Sequence, residues 1–464
     1  MKRMRLGNKF ATCWFPIGLA AALLAAPGIS SAAQSQRKAP AKPSATFLWQ
    51  APSRARTRSS QEKEDPLAPL LQQANDAIDK MDFAAALDPL QKYIAQRPDE
   101  AYPHFQLGYA YVGLKRPAEA KAEFSRAIAL DPKMAAAHLN LGLVLMESDP
   151  AAAAESFRHA ADLQPAESRP RFLAGFSLEH AGKLPEAAEQ FRAALALSAK
   201  DYEACFALGR VLLRSNDAAG AEEQFRAAVA SRGDSAPARL GLSSALLAQK
   251  KYDAASNALA EYLKLNPGDR SAHFDRASAL LNLSRYDDAL AELDRSEAGA
   301  APSAETLKMR GEIYMQQNKW KEAGDTLKQA MALAPRDAEL AGWMGHVDIE
   351  LRDYPSAVRI LEQAYAQSPQ SADVLRDLGD AFYLNENYSA ALEAMDRLAK
   401  LETPRPGSWF VRAICYDKLS RKAEAIEAYQ TFLDQDGGQH DTQDFQARHR
   451  IPVLQRELGQ PKKK

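Results

Sequence analysis

Residues 105–132 read FQLGYAYVGLKRPAEAKAEFSRAIALDP. Apolar residues fall at helical spacing on both sides of one charged turn, 114–117. Upstream, His104, Gly108 and Tyr111 share one helix face; downstream, Ala120, Phe124 and Ala127 do the same. Helices of about fourteen residues are marginal alone, so the pair must pack on something else in the chain.

That something is more of the same. Glycines recur at 108, 142, 175 and 209, and again at 311, 345 and 379, a period of about 34 residues or a multiple of it. An alanine lies twelve places after each mark, from Ala86 through Ala120 to Ala425, in all eleven units. Four places later stands a large side chain: Phe124, Phe157, Phe191, Phe225, Tyr429, and Leu or Met elsewhere. Proline closes many units, as at Pro98, Pro132, Pro165, Pro267, Pro335 and Pro369. Four markers in phase over most of the chain identify a repeat architecture. Gly108 and Ala120 are small where two helices cross closely, and Tyr111 and Phe124 fill the space beside them.

The period and markers resemble those of tetratricopeptide repeats, whose pattern is W-x2-L-G-x2-Y, then Ala, Phe and Pro, on a period of about 34 residues. HFQLGYAY carries it with His104 in the tryptophan place; SWFVRAICY keeps Trp409 and Tyr416 but has Arg412–Ala413 where Leu-Gly is usual. The resemblance covers residues 67–439 and implies an all-α fold, a right-handed superhelical solenoid of eleven antiparallel helix pairs. Each repeat then touches only its neighbours. Residues 440–464 leave the period, and Phe445, Ile451, Val453, Leu454 and Leu458 suggest a capping helix kinked at Pro452, followed by a solvated PKKK tail.

Residues 1–33 differ in kind. Lys2, Arg3, Arg5 and Lys9 precede an apolar run, Phe10 to Ala26, and then the small residues ISSAA. This order reads as a secretory signal peptide cut after Ala32 or Ala33, and the alternative, a retained anchor, is short for a span. The expectation is an exported protein, periplasmic or extracellular and of bacterial type, with no membrane span after cleavage. Loss of the four cations takes the formal charge from −1 to −5, so no global field recruits nucleic acid. Residues 34–66 are rich in Pro, Ala, Ser and Arg and read as a disordered basic linker, with Phe47 to Trp49 its one apolar cluster.

A search for chemistry finds little. His104, His138 and His273 occupy one repeat place in different repeats, whereas metal ligands must converge; packing is their expected role. No HExxH, CxxC, phosphate loop or nucleophile elbow occurs. Cys205 and Cys415 lie six repeats apart, too far for a disulfide. No cofactor, metal or catalytic residue is expected, and the chain reads as a non-enzyme.

What remains is the groove. The resemblance implies that the first helix of each pair lines a concave surface, with ligand-facing side chains one step around from the core stripe. In the early repeats these are Tyr102, Phe105, Tyr109, Arg169, Phe172, Phe176, Phe206 and Arg210. Later they turn polar and acidic, with Glu312, His346, Arg376 and Asp380. Aromatics along such a wall suit a protein or peptide ligand, and the acidic half favours a basic one. The competing reading is packing: apolar residues fill the place of Phe105 in eight of eleven repeats. No Lys with Asn stands four apart at the groove places, so the carboxylate clamp of chaperone-binding repeats is not supported. The function expected is a non-catalytic interaction scaffold. The alternatives are a recruiting or regulatory subunit for a cell-envelope enzyme acting on glycan or cell wall, and a self-associating assembly protein.

Overall fold

The computed structural model describes residues 65–438 and 440–459. The signal peptide, nearly all of the basic linker and the lysine tail lie outside the described residues. Twenty-three helices and no strand occur among the described residues. The described residues divide into two compact units between Ala279 and Leu280.

The first unit is a stack of helical hairpins. In chain order these are α1 (Ala68–Asp79) with α2 (Phe83–Gln96), α3 (Ala101–Gly113) with α4 (Pro117–Leu130), and α5 (Ala135–Leu145) with α6 (Pro150–Leu163). Next come α7 (Ser168–His180) with α8 (Leu184–Leu197), α9 (Tyr202–Arg214) with α10 (Ala218–Ser231), and α11 (Ala236–Ala248) with α12 (Tyr252–Leu265). Helix α13 (Arg270–Asn282) contains the division. The second unit continues with α14 (Tyr286–Glu297), α15 (Ala304–Gln316) with α16 (Trp320–Leu333), and α17 (Ala338–Glu350) with α18 (Tyr354–Gln367). It ends with α19 (Ala372–Leu384) and α20 (Tyr388–Leu398), α21 (Pro406–Lys418) and α22 (Lys422–Asp436), and the single helix α23 (Asp441–Gly459).

Local sequence starts these helices. Asp82, Asp149, Asp201, Asp217, Asp337 and Asp353 each accept a backbone N–H of the first turn, which satisfies donors the helix itself leaves open. Ser303 and Thr306 form a reciprocal capping box at α15.

Within each hairpin the close approach is where the markers placed it. A Cβ on Gly108 would sit 2.8 Å from the Phe124 ring, and one on Gly142 would sit 2.6 Å from Phe157. Ala120, Phe124 and Ala127 are fully buried. Consecutive hairpins share core clusters: Phe105, Ala110, Phe124 and Ala137 belong to one, and Phe176, Phe191, Leu208 and Phe225 to another.

The turns carry a device the repeat markers do not advertise. One residue just after the first helix is left-handed in nearly every hairpin: Met81, Lys115, Asn216, Lys250, Ser284, Asn318, Arg352, Glu386 and Ser420 have φ between +56° and +62°. Only Gly182 is a glycine at that place, with φ of +76°. A side chain there costs about 1 kcal/mol. Replacing Arg352 or Glu386 by glycine should therefore stabilise the second unit by up to about 1 kcal/mol each, read as a higher urea midpoint; an unchanged or lower midpoint would contradict this reading.

Helix α23 runs as one helix with Pro452 inside it. Its Ala447, Ile451 and Leu454 bury against Phe410, Tyr429 and Phe432 of the last hairpin. Arg450 clamps Asp417 with two bonds of 2.6 and 2.8 Å. Phe445 and Leu458, which the sequence suggests as part of that apolar face, point to solvent.

Candidate functional site: the first-helix wall

First helices of successive hairpins touch one another, as α7 touches α9 and α17 touches α19. Their exposed faces form a wall in each unit, and ion pairs three places short of a full repeat join neighbouring helices across it. Arg210 binds the Glu179 carboxylate in a fork, its Nε at 2.9 Å. The Lys308 Nζ lies 2.6 Å from Glu339, and the His346 Nδ1 lies 3.3 Å from Asp377. Such an offset places the partner one helical turn earlier on the next first helix.

In the first unit, the aromatic residues divide by depth. Phe105 is 2% exposed and its ring lies 5.7 Å from that of Phe124; it belongs to the core, not to an open surface. Phe176 is also buried, with the His180 ring tilted over it at 4.5 Å. At the place of Phe105 the first helix rests on the large second-helix residue. Phe172 does so half-buried on Phe191 at 5.6 Å, and Phe206 on Phe225 at 5.8 Å. Tyr102 and Tyr109 are half-buried, Tyr109 edge-on to Phe83 at 6.1 Å. Arg210 spans Phe206 at 5.9 Å while holding Glu179, which also accepts from Arg214 at 2.9 Å. Burial lowers the pKa of Arg169. Burial also lowers that of His180, with help from Arg210 and Arg214 against Glu179. The wall of α7 and α9 is thus aromatic with an arginine pair fixed on one buried carboxylate.

In the second unit, α15, α17 and α19 present parallel rows. One row is Glu312, His346 and Asp380, the last of them exposed; the next is Met315, Ile349 and Tyr383, each half-buried. The cations are already engaged: Lys308 by Asp337 and Glu339, and Arg376 by Asp373 and, in a fork of 3.0 Å bonds, by Glu402. Asp380 reaches solvent yet is hemmed in by protein. Desolvation, then Asp377, raise its pKa to about 6 against the pull of Arg376 and His346. Desolvation and Glu339 likewise raise Glu312. His346, held by Asp377, is raised, and Trp320 packs edge-on to its ring at 5.9 Å. Sequence reasoning missed Glu179, Arg214, Asp377 and Tyr383. Opposite charges three places short of a repeat apart are the signal that would have found the first and third.

These shifts give a pH dependence of definite sign. A carboxyl raised in the folded state binds its proton there first, and a raised histidine keeps its proton longer, so folding gains as pH falls. Asp380, His346 and the buried Asp348, raised to about 6 by desolvation and then by Asp353, should make 338–384 more resistant to opening at pH 5 than at pH 8. In the first unit Glu222, held at about 2 chiefly by its bond to Lys251, loses its contribution only as pH falls from about 4.5 toward 2. Amide hydrogen exchange of 338–384, corrected for intrinsic rate, checks this. Slower opening at pH 8 than at pH 5 would contradict it.

The three histidines at one repeat place are tied to the backbone. The Nε2 atoms of His104, His138 and His273 each bond the carbonyl of a proline six places upstream, Pro98, Pro132 and Pro267, at 3.0–3.1 Å. Burial lowers the pKa of His138, consistent with a neutral ring donating that bond. No group of three or more metal-capable side chains occurs among the described residues. Both Cys205 and Cys415 are buried thiols, the latter pushed up to about 11 by desolvation.

Comparison with known proteins gives the arrangement its family. The model described as tetratricopeptide repeat matches residues 105–168, 147–202, 172–238, 206–255, 240–305, 274–338, 344–408 and 385–440. The chain belongs to the tetratricopeptide repeat family. Among solved structures, it is similar to the Cut9–Hcn1 hetero-tetramer of APC/C, at 14% identity over 84% of this chain and 96% of that one, TM-score 0.38. It is similar to YrrB, described as a tetratricopeptide repeat protein with an unusual peptide-binding site, at 20% identity over 40% of this chain and 97% of that one, TM-score 0.37. Yeast Tom70 is similar at 14% identity, covering 86% of this chain and 97% of its own, TM-score 0.35. No curated protein sequence matches the chain. No described helix of this tetratricopeptide repeat chain is long and apolar enough to cross a membrane.

Proposed function

We propose that the chain is an exported, non-catalytic scaffold that holds a protein segment along its first-helix walls. The observation that carries this reading is the surplus on those walls. Tyr109, Phe206, Trp343, His346 and Tyr383 are large first-helix side chains that stay partly accessible, Phe206 although it rests on Phe225 and Trp343 beside Lys308, 5.2 Å from its ring. A repeat stack needs its small and large core markers to fold; it does not need half-open aromatics on its first helices. Export rests on the basic, apolar, small order of residues 1–33.

Affinity capture tests the reading. Changing Phe206, Trp343 and Tyr383 to serine together should abolish retention of the partner that the unaltered chain retains, with the helical circular-dichroism signal kept. Full retention by a folded triple variant would overturn it.

A further inference from the structure

We propose that the wall formed by α15, α17 and α19 receives a cationic protein segment with apolar residues between its charges, its lysines or arginines seated against Glu312 and Asp380. This rests on the scaffold reading and specifies the partner's chemistry in the second unit.

Two rows carry the argument. Glu312 and Asp380 are two repeats apart in the same row, Glu312 half-buried and Asp380 exposed, and neither carboxylate has a hydrogen-bond or ion-pair partner among the described residues. The cations nearest them do not close the balance. Lys308 is bonded to Asp337 and Glu339, Arg376 is bonded to Asp373 and Glu402, and His346 faces Asp377. Glu350, one turn from His346, is exposed on the same side. The wall therefore carries more carboxylates than its own cations engage. An arriving ammonium or guanidinium meets carboxylates that no cation of the wall already holds, one of them half withdrawn from water at Glu312, so it gains attraction without displacing an existing ion pair. Beside that row, Met315, Ile349 and Tyr383 supply one half-buried apolar side chain per repeat. A partner that alternated charge and hydrocarbon would match both rows, whereas an acidic one would meet repulsion along the whole wall.

A labelled synthetic peptide with the sequence of residues 34–58 is a probe of this chemistry. It carries Arg37, Lys38, Lys42, Arg54, Arg56 and Arg58, no acid, and the apolar run Phe47 to Trp49. Fluorescence anisotropy should show it binding the full-length chain. The chain variant Glu312→Gln with Asp380→Asn should bind about tenfold more weakly, a loss of about 1.4 kcal/mol. Removing two charges that hold no ion pair should not unfold that variant, which thermal melting verifies. A control variant, Glu186→Gln with Glu223→Gln, changes the net charge equally at exposed sites of the first unit and should bind as the unaltered chain does. A peptide with all six cations changed to glutamine should not bind. Equal weakening by both chain variants would reduce the effect to bulk attraction and overturn the proposal, as would binding by the glutamine peptide or no binding at all. If the probe fails while wall variants still lose the captured partner, the scaffold reading stands and only the cationic chemistry falls.

Discussion

Gly345→Ala is expected to destabilise the second unit by about 2–3 kcal/mol, while Gly379→Ala, one repeat later, should stabilise it by up to about 1 kcal/mol. The two glycines hold the same repeat place and both are buried in a first helix. They differ in what faces them. A Cβ on Gly345 would land on the Leu361 side chain, branched and fully buried between hairpins, with no room to withdraw. A Cβ on Gly379 would meet the Met395 Cγ at 3.6 Å, an ordinary contact with a flexible chain. The first variant forces overpacking; the second collects the helix preference of alanine over glycine without a clash. Urea denaturation followed by hydrogen exchange in 338–398 separates them, and equal effects from the two would contradict this account of the crossing.

Phe105→Ala is expected to cost about 3–4 kcal/mol in the first unit, the range for removing a buried phenylalanine. At 2% exposure Phe105 touches Phe124 of α4 and shares a core with Ala110 of its own helix and Ala137 of α5. In a repeat stack the loss spreads to nearest-neighbour interfaces, so α3 to α5 should open together. A partner lost by such a variant would report unfolding, not recognition. Phe206, half-buried on the same repeat place, should cost less and is the sounder probe of the wall. Proteolysis within 101–145 measures the difference; a Phe105→Ala chain as resistant as the unaltered one would contradict it.

The fold was legible because its determinants are local and recur. Gly108, Ala120 and Phe124 each appear again at a fixed offset, and the same contact closes each hairpin, so one correct reading serves many times. The wall was only half legible. Helical spacing told which face Phe105 and Phe206 share, but not that the ring beneath would bury Phe105 and leave Phe206 half open. That depends on how nearly neighbouring hairpins close over each place. The ion pairs that fall just short of a repeat, such as Glu179 with Arg210, were invisible to a reading that followed each helix alone, because they join one repeat to the next. The left-handed residues Arg352 and Glu386 carried no compositional signal, since the turn tolerates a side chain where glycine would be easier.

The most direct test of the central claim, that the partner lies along the first-helix walls, is site-specific photo-crosslinking in the full-length chain. Gln316 and Glu350 are exposed on the wall of the second unit, and Gln329 and Glu362 are exposed on its second helices. A photoreactive residue at each position, in turn, should give partner adducts from Gln316 and Glu350 and none from Gln329 or Glu362. Adducts from the second-helix positions alone, or equally from all four, would contradict the account.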